Sequence, residues 1–292
     1  MESNNTNKSF KEKWEKNPSL VFEQTLDENS DIFKWITTRN GFANTEALSI
    51  YLADKKTILD AGCGNGRVTA LLQKYAPNNS KILGVDLNAD VVAKENLKMF
   101  SNISVQKANL LDDLSNLGTF DFIYCQEVLH HTGNPQKSFK NLSNLLNKNG
   151  EIAIYVYKIK APVREFVDDF VRDKIANMPY DEAIKVCKGI TEIGKQLASL
   201  NIKINVPEIK VLGIEEGSYD VQRFFYHFFM KCFWNDEYYY NDNVVINYDW
   251  YHPQNCSRHT TEEVLQWFVD NKLSVVSQFT DFYGITVRGK RI

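Results

Sequence analysis

The sequence has no apolar run approaching the ~20 residues that cross a bilayer, and its start, Met1-Glu2-Ser3-Asn4-Asn5, holds no apolar signal region. A cytoplasmic protein without a membrane partner is therefore expected. Cysteine is scarce: Cys63, Cys125, Cys187, Cys232 and Cys256 are five in number, odd and without close pairing, which excludes a disulfide framework. Excess positive charge is lacking too. A net charge of -3 argues against a broad nucleic-acid surface, though not against a local basic pocket. The phosphate-cradling pattern G-x-x-x-x-G-K-[ST] occurs nowhere. His252, Cys256 and His259 have metal-ligand chemistry, but a fourth ligand is missing and the spacing fits no closed site, so no metal is expected.

What remains is an ordinary globular composition, 43% hydrophobic and 24% charged over 292 residues, with one informative stretch. Thr57-Ile-Leu-Asp-Ala-Gly-Cys-Gly-Asn-Gly-Arg67 runs from a short apolar strand into glycines at every second position, Gly62, Gly64 and Gly66. Val68, Leu71, Leu72 and Tyr75 then fall at i, i+3, i+4 and i+7 of an amphipathic helix. Glycines at such a turn admit positive φ and let backbone approach a ligand closely. Asp86 closes a second apolar run, Ile82 to Val85, at the offset of roughly 20 residues where a carboxylate holds ribose hydroxyls. Dinucleotide folds use G-x-G-x-x-G, so the G-x-G-x-G spacing here argues against an oxidoreductase.

An acidic residue, Asp60, followed by G-x-G-x-G resembles the first motif of the class I S-adenosylmethionine-dependent methyltransferases. The resemblance implies S-adenosyl-L-methionine as cofactor. It implies that Asp60, Gly62 and Gly64 lie along its methionine part, that Asp86 holds the ribose and Asn109 the adenine, and that Cys63, Gly66, Leu87, Leu110 and Gln126 belong to the same cofactor site. Asn109 stands where the family usually has an acid, but its amide oxygen accepts the same hydrogen bond. The fourth strand, Phe120 to Cys125, leads into Gln126-Glu127-Val128-Leu129-His130-His131, like the family motif beside the sulfonium.

Alternation of strands and helices over about 55–157 marks an α/β fold. The expected architecture is a Rossmann-like, mostly parallel seven-stranded sheet with helices on both faces and a helical cap inserted between strands five and six. The reading divides the chain into an N-terminal helical, partly disordered segment (1–50), a cofactor-binding core (51–157), an inserted aromatic cap (158–259) and a completion of the sheet (260–292). In the cap, Val163, Phe166, Val167, Phe170 and Val171 trace one helical face, and Tyr219 to Trp234 reads as an aromatic helix with Arg223, His227 and Lys231 on one side. Thr260 to Glu263 is a capping box before the last helix, and two strands follow, the final one of which the family resemblance implies to be a hairpin partner inserted antiparallel.

A sulfonium methyl is already activated, so the protein has to position a nucleophile, exclude water and, for a weak acid, supply a base. The expected catalytic residues are His131 as base, His130 beside it, and Tyr157. Tyr155, Tyr251, His252, Arg258 and His259 are expected at the substrate, and Lys158, Lys160 and Arg164 form a charge run that is more commonly solvated but attracts anions. An insertion over a cleft suits a small acceptor. The expected function is methyl transfer to oxygen or nitrogen of a small molecule or a sugar or glycan precursor, anionic acceptors included. RNA or protein methylation and an inactive cofactor-binding partner subunit remain alternatives, and the oligomeric state is open.

Overall fold

The computed structural model describes residues 5–292. The tail expected to be mobile falls, for residues 1–4, outside the described residues; from Asn5 the chain is helical. Twelve α-helices and nine strands are formed among the described residues: α1 (Asn5–Lys16), α2 (Phe22–Leu26), α3 (Asp31–Arg39), α4 (Thr45–Leu52), β1 (Thr57–Ala61), α5 (Arg67–Tyr75), β2 (Lys81–Asp86), α6 (Asp90–Leu97), β3 (Ile103–Lys107), β4 (Phe120–Gln126), α7 (Pro135–Ser143), β5 (Leu146–Tyr157), α8 (Pro162–Ile175), α9 (Tyr180–Ser199), β6 (Lys203–Val206), β7 (Gly217–Asp220), α10 (Val221–Phe228), α11 (Tyr240–Tyr251), α12 (Thr261–Asp270), β8 (Leu273–Thr280) and β9 (Gly284–Arg291). They divide into two compact units, one of residues 14–158 and 257–292, the other of 5–13 and 159–256 among the described residues, with the boundary inside α1.

The first unit holds a seven-stranded sheet in the order β3-β2-β1-β4-β5-β9-β8. The first five strands pair in parallel, and β9 lies antiparallel between β5 and β8, as the family resemblance implies. β1 is central and buried on both faces, which is why Ile58 and Leu59 read as an unbroken apolar run. One face packs Leu59, Ile123, Ile152, Phe139 and Phe268, the other Ile58, Phe122, Leu71 and Leu52. Asp121 fastens the sheet's lower end by accepting from the backbones of Lys56 and Thr57 and from Asn147 Nδ2. The helix after β4 is capped by Asn134, whose Oδ1 accepts from Lys137 N, with Pro135 in the first turn. The strand order places the carboxyl ends of β1, β2 and β4 side by side, and in such sheets ligands bind beyond those ends.

The second unit is built on α8, α9, α10 and α11 with the β6–β7 hairpin, so it is mainly but not wholly helical. Two sequence expectations fail inside it. The aromatic helix stops at Phe228, because Phe229 N and Met230 N both turn back to Phe225 O, and Lys231 lies beyond its end. On α8 the expected apolar face is not the buried one: Phe166 and Phe170 are 75% and 58% exposed and Val163, Val167 and Val171 only half-buried, whereas Arg164, Asp168 and Arg172 are buried together with Ile175. Charges with the same four-residue spacing take the inner face because the unit supplies them with partners.

Candidate functional site

The site is assembled at the turn after β1. Gly62 (φ 80°), Gly64 (φ 55°) and Gly66 (φ 88°) all occupy the left-handed region. Space excludes side chains there as well: a Cβ on Gly62 would lie 2.3 Å from Val128 Cγ2, and one on Gly64 2.6 Å from Trp14 Cζ2. The loop is pinned from below by Gly62 N and Cys63 N, both donating to Val85 O at 2.7 and 2.9 Å. It is pinned from the side by Asn65 Nδ2, which donates to Pro18 O and Leu20 O, and by Asn96 Nδ2, which donates to Pro18 O and Asn65 O. Residues 14–26 thus form part of the loop's wall. Sequence reasoning missed Pro18 and Leu20, since nothing local in their pattern announces this contact.

Asp86, at the end of β2, accepts from Gly64 N at 3.0 Å through Oδ2 and from Asn88 N and Ala89 N at 2.8 and 2.9 Å through Oδ1. A carboxylate has about four lone-pair sites, so three are engaged and one on Oδ2 remains for a ligand hydroxyl. Burial raises its proton affinity, and the three backbone N–H groups oppose that. Asp60 is fully buried, accepts from Thr69 Oγ1 at 2.6 Å and is pushed up to about 7, chiefly by burial. Cys63 is buried against Gly84, and burial pushes its thiol up, so it packs rather than reacts. Leu87 is half-buried beside Asp86 and Leu110 is buried. Asn109 Oδ1 accepts from Leu111 N at 3.1 Å, which leaves its second lone pair as the acceptor the adenine assignment needs.

Beyond β4 the chain turns sharply. Glu127 sits at φ 60°, an uncommon conformation for a residue with a side chain, and Arg67 Nη2 is 3.5 Å from its carboxylate. Gln126 Oε1 accepts from Tyr124 OH at 2.8 Å. A 3₁₀ turn over Leu129–His131 follows. Both histidines are buried, and the His130 ring stacks on Tyr157 at 3.7 Å and 29°, with His131 edge-on to the same tyrosine at 5.7 Å. Tyr155 joins them through His130 at 6.5 Å, and Trp35 meets Tyr155 at 5.1 Å with the Arg39 guanidinium 4.3 Å from the indole. His130, His131, Tyr155 and Tyr157 therefore share one aromatic end of the sheet.

His259 approaches from the returning chain. Its N–H donates to Tyr157 O at 2.9 Å, its Nδ1 lies 2.9 Å from Glu263 Oε1 and its Nε2 2.9 Å from Ser257 Oγ. Ser257 in turn donates its backbone N–H to His130 O at 2.9 Å. Half of the expected capping box forms: Thr260 Oγ1 accepts from Glu263 N, but the Glu263 carboxylate goes to His259. Arg258, between the two, is half-buried. Tyr251 and His252 belong to the other unit and are engaged in its interior. Tyr251 OH is 2.7 Å from Asp168 Oδ1, while His252 meets Ser9 Oγ at 2.6 Å and Met178 O at 2.9 Å and stacks on Tyr248. Since Met178 O only accepts, His252 Nε2 carries its proton, and burial lowers the ring's proton affinity. Among the described residues no group of three or more His, Cys, Asp or Glu side chains is placed to hold a metal ion, and no helix is long and apolar enough to cross a membrane.

Residues 52–178 match the family profile of a methyltransferase domain. A ubiquinone biosynthesis O-methyltransferase of Glaesserella parasuis is 32% identical over 118 residues, covering 36% of this chain and 49% of the relative. The protein of the same name from Coxiella burnetii is 31% identical over 100 residues, 33% of this chain and 42% of the relative. The chain thus spans less than half the length of these curated relatives. A crystal structure of the N-methyltransferase NodS of Bradyrhizobium japonicum with S-adenosyl-L-homocysteine superimposes with a TM-score of 0.49 at 14% identity, covering 97% of this chain and 98% of that one. The matched stretch, residues 52–178, which holds the glycine loop and Asp86, is thus similar to a methyltransferase domain.

Proposed function

We propose that the protein transfers the methyl group of S-adenosyl-L-methionine to an oxygen or nitrogen of a small molecule or a sugar or glycan precursor that carries an anionic group. The observation that carries this reading is the loop of positive-φ glycines tied by Gly64 N to Asp86, whose carboxylate keeps one lone pair free. When bound, the donor supplies a sulfonium-activated methyl group, so the residues of this chain need only place the acceptor in line, exclude water and remove a proton.

In this assignment Asp86 holds a ribose hydroxyl, while the bare peptide of Gly62 to Gly64 lies along the amino-acid part. His131 takes the proton from the acceptor. Its neighbour His130 is the positioning member, with its ring fixed on Tyr157 and its carbonyl held by Ser257 N. Neutral imidazole is suited to this role near pH 7. The O-methyltransferase names of the curated relatives agree with a small acceptor, and the net charge of -3 disfavours RNA.

A crystal structure with S-adenosyl-L-homocysteine tests the reading. The nucleoside is expected against Gly62–Gly64 with a ribose hydroxyl at Asp86, and the side chains around the vacant methyl position identify the base. A ligand bound elsewhere, or none at saturating concentration, overturns the assignment.

A further inference from the structure

Gln126, the last residue of β4, carries an amide whose direction is decided by a chain of hydrogen bonds that starts beside α3. Asn40 is buried, and its Nδ2 lies 2.7 Å from Ile36 O. A carbonyl only accepts, so the amide nitrogen of Asn40, not its oxygen, faces Ile36. The same Nδ2 reaches Tyr124 OH at 3.4 Å, a long contact. Tyr124 is buried too, and burial, followed by the nearby Asp60, raises the proton affinity of its hydroxyl, which therefore keeps its proton. With Asn40 donating to it, that hydroxyl gives its own hydrogen to Gln126 Oε1 at 2.8 Å. A flipped Gln126 would set Nε2 against the hydroxyl, which would then accept twice and leave a buried O–H without an acceptor, a costly arrangement. The amide is thus held with Oε1 engaged, and both Nε2 hydrogens are left for a ligand.

Position narrows what they meet. Gln126 is half-buried and pairs in register with Tyr155 of β5. Two residues on, Val128 lies so close to the glycine loop that a Cβ on Gly62 would be 2.3 Å from its Cγ2. Under the assignment above, the strand order β3-β2-β1-β4 sets out the parts of the donor one after another. Adenine is at Asn109 after β3, ribose at Asp86 after β2, and the amino-acid part at Gly62 to Gly64 after β1. β4 comes next, so Gln126 stands at the amino-acid end. That end carries an ammonium and a carboxylate, and of the two only the carboxylate accepts an N–H bond.

We infer that Asn40 and Tyr124 are positioning residues that lock the Gln126 amide as a donor, and that Gln126 binds the carboxylate of the methyl donor. The inference rests on the methyl-transfer reading. It gives two residues of the buried sheet face, neither of them in the glycine loop, a part in selecting the ligand.

The test is calorimetry on the full chain with two ligands, S-adenosyl-L-homocysteine and its decarboxylated analogue, which lacks only the carboxylate. The wild type is expected to bind the analogue about tenfold or more weakly, as a charge-assisted hydrogen bond is lost. Gln126→Glu replaces the amide nitrogen by oxygen and leaves Tyr124 OH its acceptor, so the preference for the carboxylate should vanish. Tyr124→Phe releases the amide, and the preference should shrink by about two- to tenfold. General damage to the site would weaken both ligands alike and leave their ratio as it is. Equal affinity of the wild type for the two ligands, or a preference unchanged in Gln126→Glu, overturns the assignment of the carboxylate; a preference unchanged in Tyr124→Phe overturns the lock. Binding of neither ligand to the wild type removes the methyl-transfer reading itself, whereas binding of both with the same ratio in all three chains removes only this inference.

Discussion

Gly64→Ala probes the loop with two separable costs. At φ 55° an alanine enters the left-handed region, which costs roughly 1–2 kcal/mol. Its Cβ would also lie 2.6 Å from Trp14 Cζ2 and 3.0 Å from Cε2. Overpacking of that kind costs typically about 1–3 kcal/mol, and the lower entropy of the unfolded alanine chain returns up to about 1 kcal/mol. The substitution therefore destabilises by about 2–4 kcal/mol in the wild-type background. In a Trp14→Ala background the steric part disappears and only the backbone part, about 1 kcal/mol, remains. The coupling between the two positions is the difference, about 1–3 kcal/mol, and it is read from urea midpoints of the four chains by far-UV circular dichroism. An equal cost of Gly64→Ala in both backgrounds would refute the placement of the tryptophan ring on the loop.

Asp60 gives a pH dependence whose sign is fixed. Its folded-state value of about 7 lies above the ordinary 3.8, so the folded protein holds an extra proton between them, and stability falls as pH rises through that window. A shift of about three units corresponds to about 4 kcal/mol; Asp60→Asn should flatten urea stability between pH 4 and 7 by an amount of that order, and an identical slope would count against the buried carboxyl. His131→Ala should lower turnover by about 10²-fold or more while leaving S-adenosyl-L-homocysteine affinity nearly unchanged, as expected for loss of a general base; wild-type turnover in single-turnover methyl transfer would remove the residue from that role. Ser257→Ala leaves its backbone bond to His130 O intact, so a stability loss of only about 1 kcal/mol is expected in thermal unfolding; a collapse of the fold would show that the Ser257–His259–Glu263 chain supports more than the histidine turn.

The glycine loop was legible because its chemistry is local. Gly62, Gly64 and Gly66 announce positive φ by residue type, and Asp86 ends an apolar strand at a characteristic distance, so the loop and its place after the first strand follow from the chain itself. Two strands after a capped helix were legible in the pattern, but the antiparallel place of β9 came only from the family resemblance. What escaped is what depends on distant partners. Pro18 reaches the glycine loop across some 50 residues of sequence. On α8, Phe166–Phe170 and Arg164–Asp168–Arg172 have the same helical period, and the choice between them is made by Trp250, Tyr251 and Lys231. The Glu263 carboxylate had two possible partners, the helix cap and His259, and spacing alone could not separate them.

The most direct measurement is a calorimetric titration of S-adenosyl-L-homocysteine into the wild-type chain and into Asp86→Ala. The account predicts a single site in the wild type and an affinity at least about tenfold lower in the variant, since a charge-assisted hydrogen bond is worth about 1.5–3 kcal/mol. No binding to the wild-type chain, or equal affinity in the two proteins, would contradict it.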